Sequence, residues 1–409
     1  MRKIFKKWSE LSLVLRILIG LVIGAILGLT VPQWTAIALL GTVFVNALKA
    51  IAPVLVGLLV IAALANSKHG LGPRFRTVIG LYLFTTFCAA LLAVVASFLF
   101  PVKLDLEGAA QMSAPGSLSD VFGTLLTNLV ANPVMAIASA NYVAVLFWSV
   151  VFGFALKLKG SETSIKVAVD LAEAASQVVR WVIEFAPFGI LGLVFTSVAD
   201  GGLAIFTTYG KLLLLLVGCM LCTAFIVNPL IHFLLLGTNP YPLLLTCLKE
   251  SGISAFFTRS SAANIPMNMA LCKKLGLDSE FYSVSIPLGA TINMSGAAVT
   301  ITVLTLSAAH TVGIEVTFVS ALILSVIAAL GACGASGVAG GSLLLVPMAC
   351  SFFGISADIA MQAVAVGFII GVVQDSVETA LNSSSDAYFT ATAELYDRKK
   401  QKRSRERLV

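Results

Sequence analysis

Apolar positions fill this chain in long windows, and polar positions are confined to a few places between and within them. Stretches free of Asp, Glu, Lys and Arg cover residues 17–48, 77–102, 121–156, 212–248 and 281–314. A helix needs about 20 apolar residues to cross about 30 Å of hydrocarbon, so these windows predict membrane-spanning helices. Eight spans are expected, at about 13–31, 37–65, 78–100, 121–156 (long or broken), 168–198, 211–236, 282–307 and 359–392. Two further apolar segments, about 243–272 and 317–354, carry Gly, Ser and Pro at their centres. Broken backbone is tolerated at membrane depth only when buried in protein or lining a wet cavity, so both are read as re-entrant helical hairpins. The predicted fold is an all-α membrane protein, a single membrane domain over residues 1–409.

Composition agrees and excludes alternatives. Apolar residues make up 58% of the 409 and charged residues 11%, against roughly 25% charged in soluble domains. A soluble enzyme, a nucleic-acid-binding module and a disordered protein are excluded, because no soluble fold hides that much apolar surface. The seven cysteines lie in or against apolar runs, and the Cys219-x-x-Cys222 pair has no second ligand pair, so no metal or redox role is read from them. Basic residues cluster before the first span, at Lys68–Arg76, at Lys157–Lys166, at Lys273 and Lys274, and from Arg398 to Arg407. Under the positive-inside rule both termini are cytoplasmic. The first hairpin then enters from the cytoplasm and the second from outside. The net charge of +6 is mostly this topological signal, so it implies no nucleic-acid partner. Residues 397–409 are expected to be a basic cytoplasmic tail. The first span follows Arg2, Lys3, Lys6 and Lys7 but lacks a small-residue cleavage site, and it reads as a retained helix.

The polar residues inside the spans carry the candidate chemistry. In the first hairpin Arg259-Ser260-Ser261 precedes Pro266, a composition suited to a hairpin tip, and a cation there is costly without a role. The second hairpin has Gly331, Gly334, Gly337, Gly340 and Gly341, which let backbone approach a ligand closely. Pro287, Gly289, Asn293 and Gly296 predict an unwound seventh span with freed carbonyls. The last span holds Asp375, Glu378, Thr379, Asn382 and Asp386. At about 100° per residue all five fall in a stripe roughly 100° wide and about 16 Å long. Ionisable residues on one face of a membrane helix mark a functional site, and their oxygen chemistry suits a hard cation such as Na⁺.

Taken together, the Arg259-Ser-Ser tip, the Asn293-Met motif and Asp375…Asn382…Asp386 resemble the dicarboxylate/amino acid:cation symporter family over nearly the whole chain. The resemblance implies an inverted-repeat elevator transporter of the bacterial cytoplasmic (inner) membrane, working as a homotrimer in the lipid bilayer. Its scaffold would be about 13–65 and 121–198, and its moving transport part about 78–100 and 211–396. Carried over by position, Asp375 takes the substrate ammonium with help from Thr379. Asn382 takes the α-carboxylate with backbone at the Ser260–Ser261 tip and around Gly337. Asp386 and Asn293 match sodium ligands with the carbonyls of Gly289 and Asn382. A second sodium sits between the Thr291 region and the second hairpin, and Tyr82, Thr85, Thr86 and Asn293 match a further sodium site, where Ser295 replaces an Asp. Members that carry acidic substrates have Arg where this chain has Glu378 and Thr where it has Ala297. The expected substrates are therefore small neutral hydroxy amino acids, L-serine and L-threonine, carried with Na⁺, with Glu378 either facing the substrate or turned away onto Arg259.

Two rivals are open on the sequence. Gly334-Ala335-Ser336-Gly337 is a G-x-S-G, which resembles the nucleophile motif of rhomboid intramembrane proteases. A serine nucleophile needs a base within hydrogen-bond reach. His69 and His310 lie in loops, and His232 is expected at the opposite end of the membrane from Ser336. A cation channel lined by the carboxylates is the second rival, against which the paired hairpins read as gates.

Overall fold

The computed structural model describes residues 11–66, 73–106, 130–139, 141–202, 205–335 and 340–406. Every regular element among them is helical. The chain opens with α1 (Leu13–Thr30), whose first turn is capped by the Ser12 hydroxyl accepting the Leu15 N–H at 3.3 Å. α2 (Ala38–Ala65) and α3 (Pro73–Leu99) follow. The expected span at 121–156 is broken: its described part is α4 (Pro133–Ala138) and then α5 (Tyr142–Lys159). The expected span at 168–198 is two helices, α6 (Glu162–Glu184) and α7 (Ala186–Gly201), bent by 55°. Pro187 lies in the first turn of α7, where its missing N–H is tolerated at a helix start but not in a helix interior.

α8 (Ile205–Cys222), a π-helical turn Thr223–Val227 and α9 (Asn228–Leu236) form one long apolar rod. The first hairpin rises through α10 (Tyr241–Cys247) and α11 (Ile253–Thr258), turns at Arg259 and Ser260, and returns as α12 (Ser261–Lys274). The turn lies upstream of Pro266, which sits inside α12. α13 (Ser279–Ile292) and α14 (Ser295–Thr311) are the expected unwound span, interrupted at Asn293 and Met294, whose ψ angles of 76° and 49° leave the helical range. The second hairpin has limbs α15 (Phe318–Ala332) and, after a 3₁₀ turn Ser342–Leu345, α16 (Val346–Phe352). α17 (Ala357–Glu406) runs for 50 residues, so the stretch from 397 to 406, expected as a tail, continues the helix.

Five helices among the described residues are long and apolar enough to cross a membrane, or six if the bent α6–α7 pair counts as one span. α1 and the second-hairpin limbs are shorter apolar helices.

Packing divides these elements into two groups. α1, α2, α5, α6 and α7 pack on one another, and α14 and α17 lie at the centre of the rest, touching α3, α8 and both hairpins. The first group is joined through glycine. A Cβ on Gly20 would stand 2.1 Å from the Pro187 carbonyl oxygen, and one on Gly24 2.4 Å from that of Leu191. Such small-residue stripes let helix backbones touch where lipid gives no hydrophobic drive for association. Gly24→Val is therefore expected to destabilise the protein by about 1–3 kcal/mol through overpacking. Gly218→Ala, where a Cβ meets nothing within 4 Å, is expected to be neutral. Thermal unfolding of detergent-purified variants checks the contrast, and equal melting temperatures would contradict it.

Candidate functional site

Both hairpins reach one carboxylate, through Arg259 and Gly340. Arg259 ends the first ascending limb in the left-handed conformation, φ 51° and ψ 35°, which is uncommon for a residue with a Cβ. That backbone turn accompanies a buried side chain whose Nε donates to Asp375 Oδ2 at 2.6 Å, while Nη2 donates to the Gly371 carbonyl at 3.4 Å. From the other hairpin the Gly340 N–H donates to Asp375 Oδ1 at 3.2 Å. Gly340 has φ +73°, and a Cβ there would stand 2.8 Å from the Phe368 ring. A cavity of about 10 Å³ remains beside Arg259, Gly340 and Asp375, walled by Ile17, Ile183 and Ile190 of the first packing group.

The remaining predicted substrate residues lie on α17, at the start of α12 and in α14. Ser260 caps α12 by accepting the Ala263 N–H at 3.2 Å, and Ser261 beside it is buried. Thr379 donates to the Asp375 carbonyl one turn back, at 2.8 Å. Asn382 Oδ1 accepts the Gly296 N–H at 2.7 Å, binding α17 to the start of α14 next to fully buried Ala297. Glu378 does not pair with Arg259, which takes Asp375 instead. Glu378 Oε2 accepts hydrogen bonds from Thr300, Ser342 and Gln374 at 2.7, 2.9 and 2.6 Å. Those three partners escaped the sequence reading, although Gln374 stands one helical turn before Glu378 and Thr300 is polar in an apolar helix. Gly337 and Ser336 lie outside the described residues.

The predicted cation ligands gather around Asp386. The Asn293 amide donates to Asp386 Oδ1 at 2.9 Å, to Ser385 Oγ at 2.7 Å and to the Asn382 carbonyl at 3.3 Å. A Cβ on Gly289 would stand 2.8 Å from Asp386 Oδ1 and 2.9 Å from the Tyr82 hydroxyl, so only glycine allows this approach. Tyr82 reaches the Asp386 and Ser285 carbonyls and Thr390. Thr85 and Thr86 donate to the Tyr82 carbonyl at 3.1 and 2.7 Å, leaving oxygen lone pairs in the protein interior. Thr291 turns its hydroxyl to the Leu288 carbonyl and is exposed, so only its backbone is suited to a ligand role.

Three buried oxygens in this region, Asp386 Oδ2, Asn293 Oδ1 and Ser295 Oγ, have no hydrogen-bond partner among the described residues. An orphaned buried acceptor costs about 1–3 kcal/mol. One carboxylate among neutral oxygens suits a hard monovalent cation, and the donor set contains no imidazole or thiolate to favour a transition metal. Sodium fits these residues.

Comparison with known proteins is extensive. Residues 13–394 match the sodium:dicarboxylate symporter family. The chain is 60% identical over 397 residues to the serine/threonine transporter SstT of Bifidobacterium adolescentis, covering 97% of this chain and 92% of that protein. It is 56% identical to the SstT of Streptococcus thermophilus and 57% to that of Streptococcus agalactiae serotype III, in each case over 96% of this chain and 98% of the relative.

Removing one member of a buried ion pair strands the other, at about 3–5 kcal/mol. Arg259→Gln is expected to destabilise the sodium-free protein by that order, and Arg259→Gln with Asp375→Asn to recover most of it. Chemical denaturation of the single and double variants checks this, and additive losses would contradict it.

Proposed function

The chain belongs to the sodium:dicarboxylate symporter family, and on that premise we propose that it carries L-serine and L-threonine together with sodium into the cell across the bacterial cytoplasmic membrane. It is a transporter and not an enzyme, as its family and its named relatives are. The observation that carries the reading is the convergence of Arg259 and Gly340, from the two hairpins, on Asp375, on the same helix as the oxygen cluster at Asp386. A substrate ammonium has its acceptor at Asp375, and a cation has its ligands one helical face along.

Asp375 is the acceptor for the substrate ammonium, with Asn382 and the Ser260–Ser261 tip on the α-carboxylate. Arg259 and Gly340 both occupy Asp375, so a substrate ammonium that binds there displaces one of these contacts. A ligand that brings its own ammonium compensates that loss. Asp386, Asn293, Gly289 and Tyr82 would hold sodium, with Thr85, Thr86, Ser295 and the Thr291 backbone available to further ions. These residues would supply a sodium ion with one carboxylate and with oxygens that otherwise lack a hydrogen-bond partner among the described residues. Linkage then makes sodium and substrate raise each other's affinity by the same factor.

Glu378 sets the charge of the side-chain pocket. Its hydrogen bonds come only from neutral donors, and no cation among the described residues stands beside it. A substrate carboxylate brought there meets another carboxyl group with no counter-charge in a desolvated space, which costs several kcal/mol. That favours neutral amino acids over aspartate and glutamate.

The two packing groups support an elevator in which the second group, with both hairpins, slides against the first. The homotrimer and the cytoplasmic placement of both termini belong to the same proposal. A protease at Ser336 finds no support in the family or in the relatives. A channel is disfavoured by the closed carboxylate clasp.

Proteoliposomes containing the purified protein are expected to accumulate labelled serine under an inward sodium gradient and to exclude aspartate. Accumulation that persists when choline replaces sodium, with no proton gradient, would overturn the coupling. Asp386→Asn is expected to raise the sodium concentration for half-maximal uptake more than tenfold, about 2 kcal/mol or more for losing a buried charge partner. An unchanged sodium dependence in that variant would place the ion elsewhere.

A further inference from the structure

Glu378 differs from Asp375 in how it is held. Asp375 has a cation, Arg259, at 2.6 Å. Glu378 has three uncharged donors from three parts of the chain, all on the same oxygen, Oε2. Thr300 comes from α14, Ser342 from the second hairpin just past Gly340 and Gly341, and Gln374 from α17 itself. The set is internally linked, since Gln374 Nε2 also donates to Thr300 Oγ1 at 2.7 Å. All four side chains are buried. Gly296 closes the back of this arrangement: a Cβ there would stand 2.9 Å from Glu378 Cγ and 3.0 Å from its Cα, so the α17 backbone at Glu378 is pressed onto α14.

The consequence is chemical. Three neutral donors fix the orientation of the carboxyl group and satisfy one oxygen without cancelling its charge. The hydrogen bonds from Thr300, Ser342 and Gln374 all fall on Oε2, which leaves Oε1 as the oxygen to meet a substrate. A carboxylate oxygen accepts a hydroxyl proton well, and the substrates proposed above differ from alanine by that hydroxyl. Ser342 adds a second consequence, because it belongs to the hairpin whose Gly340 contact with Asp375 a substrate ammonium can displace. While Ser342 donates to Glu378, the return limb of that hairpin is seated on the specificity residue.

Resting on the substrate reading above, we propose that Ser342, Thr300 and Gln374 are positioning residues that present Glu378 Oε1 to the side-chain hydroxyl of serine or threonine. Through Ser342 they also couple the seating of the second hairpin to that acceptor. Hydroxyl selectivity thus belongs to a four-residue arrangement and not to Glu378 by itself. A site that merely excluded large or acidic side chains would need none of the three donors.

The test compares sodium-driven uptake in proteoliposomes by wild type, Ser342→Ala and Ser342→Thr, with serine and alanine as substrates. A hydrogen bond to a charged group is worth about 1.5–3 kcal/mol. Loss of that alignment in Ser342→Ala is expected to raise the KM for serine on the order of tenfold. The KM for alanine should move less than about threefold, since it presents no hydroxyl. Ser342→Thr, which keeps the hydroxyl, restores the serine-to-alanine ratio. Thr300→Val and Thr300→Ser give the same contrast from a different helix and serve if Ser342→Ala does not accumulate in the membrane. Equal rises for serine and alanine, or no change in either, would overturn the proposal while wild-type serine uptake stands. Wild-type protein that carries no serine would instead overturn the substrate reading on which it rests.

Discussion

The buried contact between Arg259 and Asp375 is the constraint on which the rest of the site depends. Neither group tolerates this depth alone, since a stranded buried charge costs several kcal/mol. Their pairing explains why a residue with a Cβ takes a left-handed backbone at the hairpin turn: the turn brings Nε to 2.6 Å from Oδ2. The opposite oxygen of Asp375 receives the Gly340 N–H, so a single carboxylate fastens both hairpins. If Asp375 takes the substrate ammonium as proposed, substrate must displace part of this clasp.

Two other features follow from lack of space. α14 is buried along Ser295–Ala309, and at the break between α13 and α14 the Asn293 side-chain amide donates to Asp386. Gly289 and Gly296 are the points where α13 and α14 approach α17 so closely that a methyl group would collide with Asp386 and Glu378. Polar groups at membrane depth are satisfied by one another across these contacts, and the orphaned oxygens remain where a cation would complete them.

Much of this was legible in the sequence. Windows without charge located the helices, because crossing hydrocarbon demands them. Asp375, Glu378, Asn382 and Asp386 could be placed on one stripe of α17, because helical periodicity depends on nothing outside the helix. The break at Asn293 was signalled by Pro287 and the flanking glycines. Pairing was not legible. Asp375 and Glu378 lie less than a turn apart, and only the backbone of the hairpin tip decides which one Arg259 reaches. Thr300, Gln374 and Ser342 passed unnoticed because neutral polar residues are common in helices and acquire meaning only when three elements converge on one oxygen. The bend between α6 and α7 was missed although Pro187 marks it, since apolar sequence continues through it.

The central claim is that Asp375 accepts the substrate ammonium and that Arg259 holds it in the absence of substrate. Calorimetric titration of serine into the purified protein at saturating sodium tests this directly, on wild type, Asp375→Asn and Arg259→Gln. The account predicts that Asp375→Asn loses measurable binding. It predicts that Arg259→Gln binds serine at least as tightly as wild type, because the competing guanidinium is gone. Near-normal serine affinity in Asp375→Asn, or a loss in Arg259→Gln as large as that in Asp375→Asn, would contradict it.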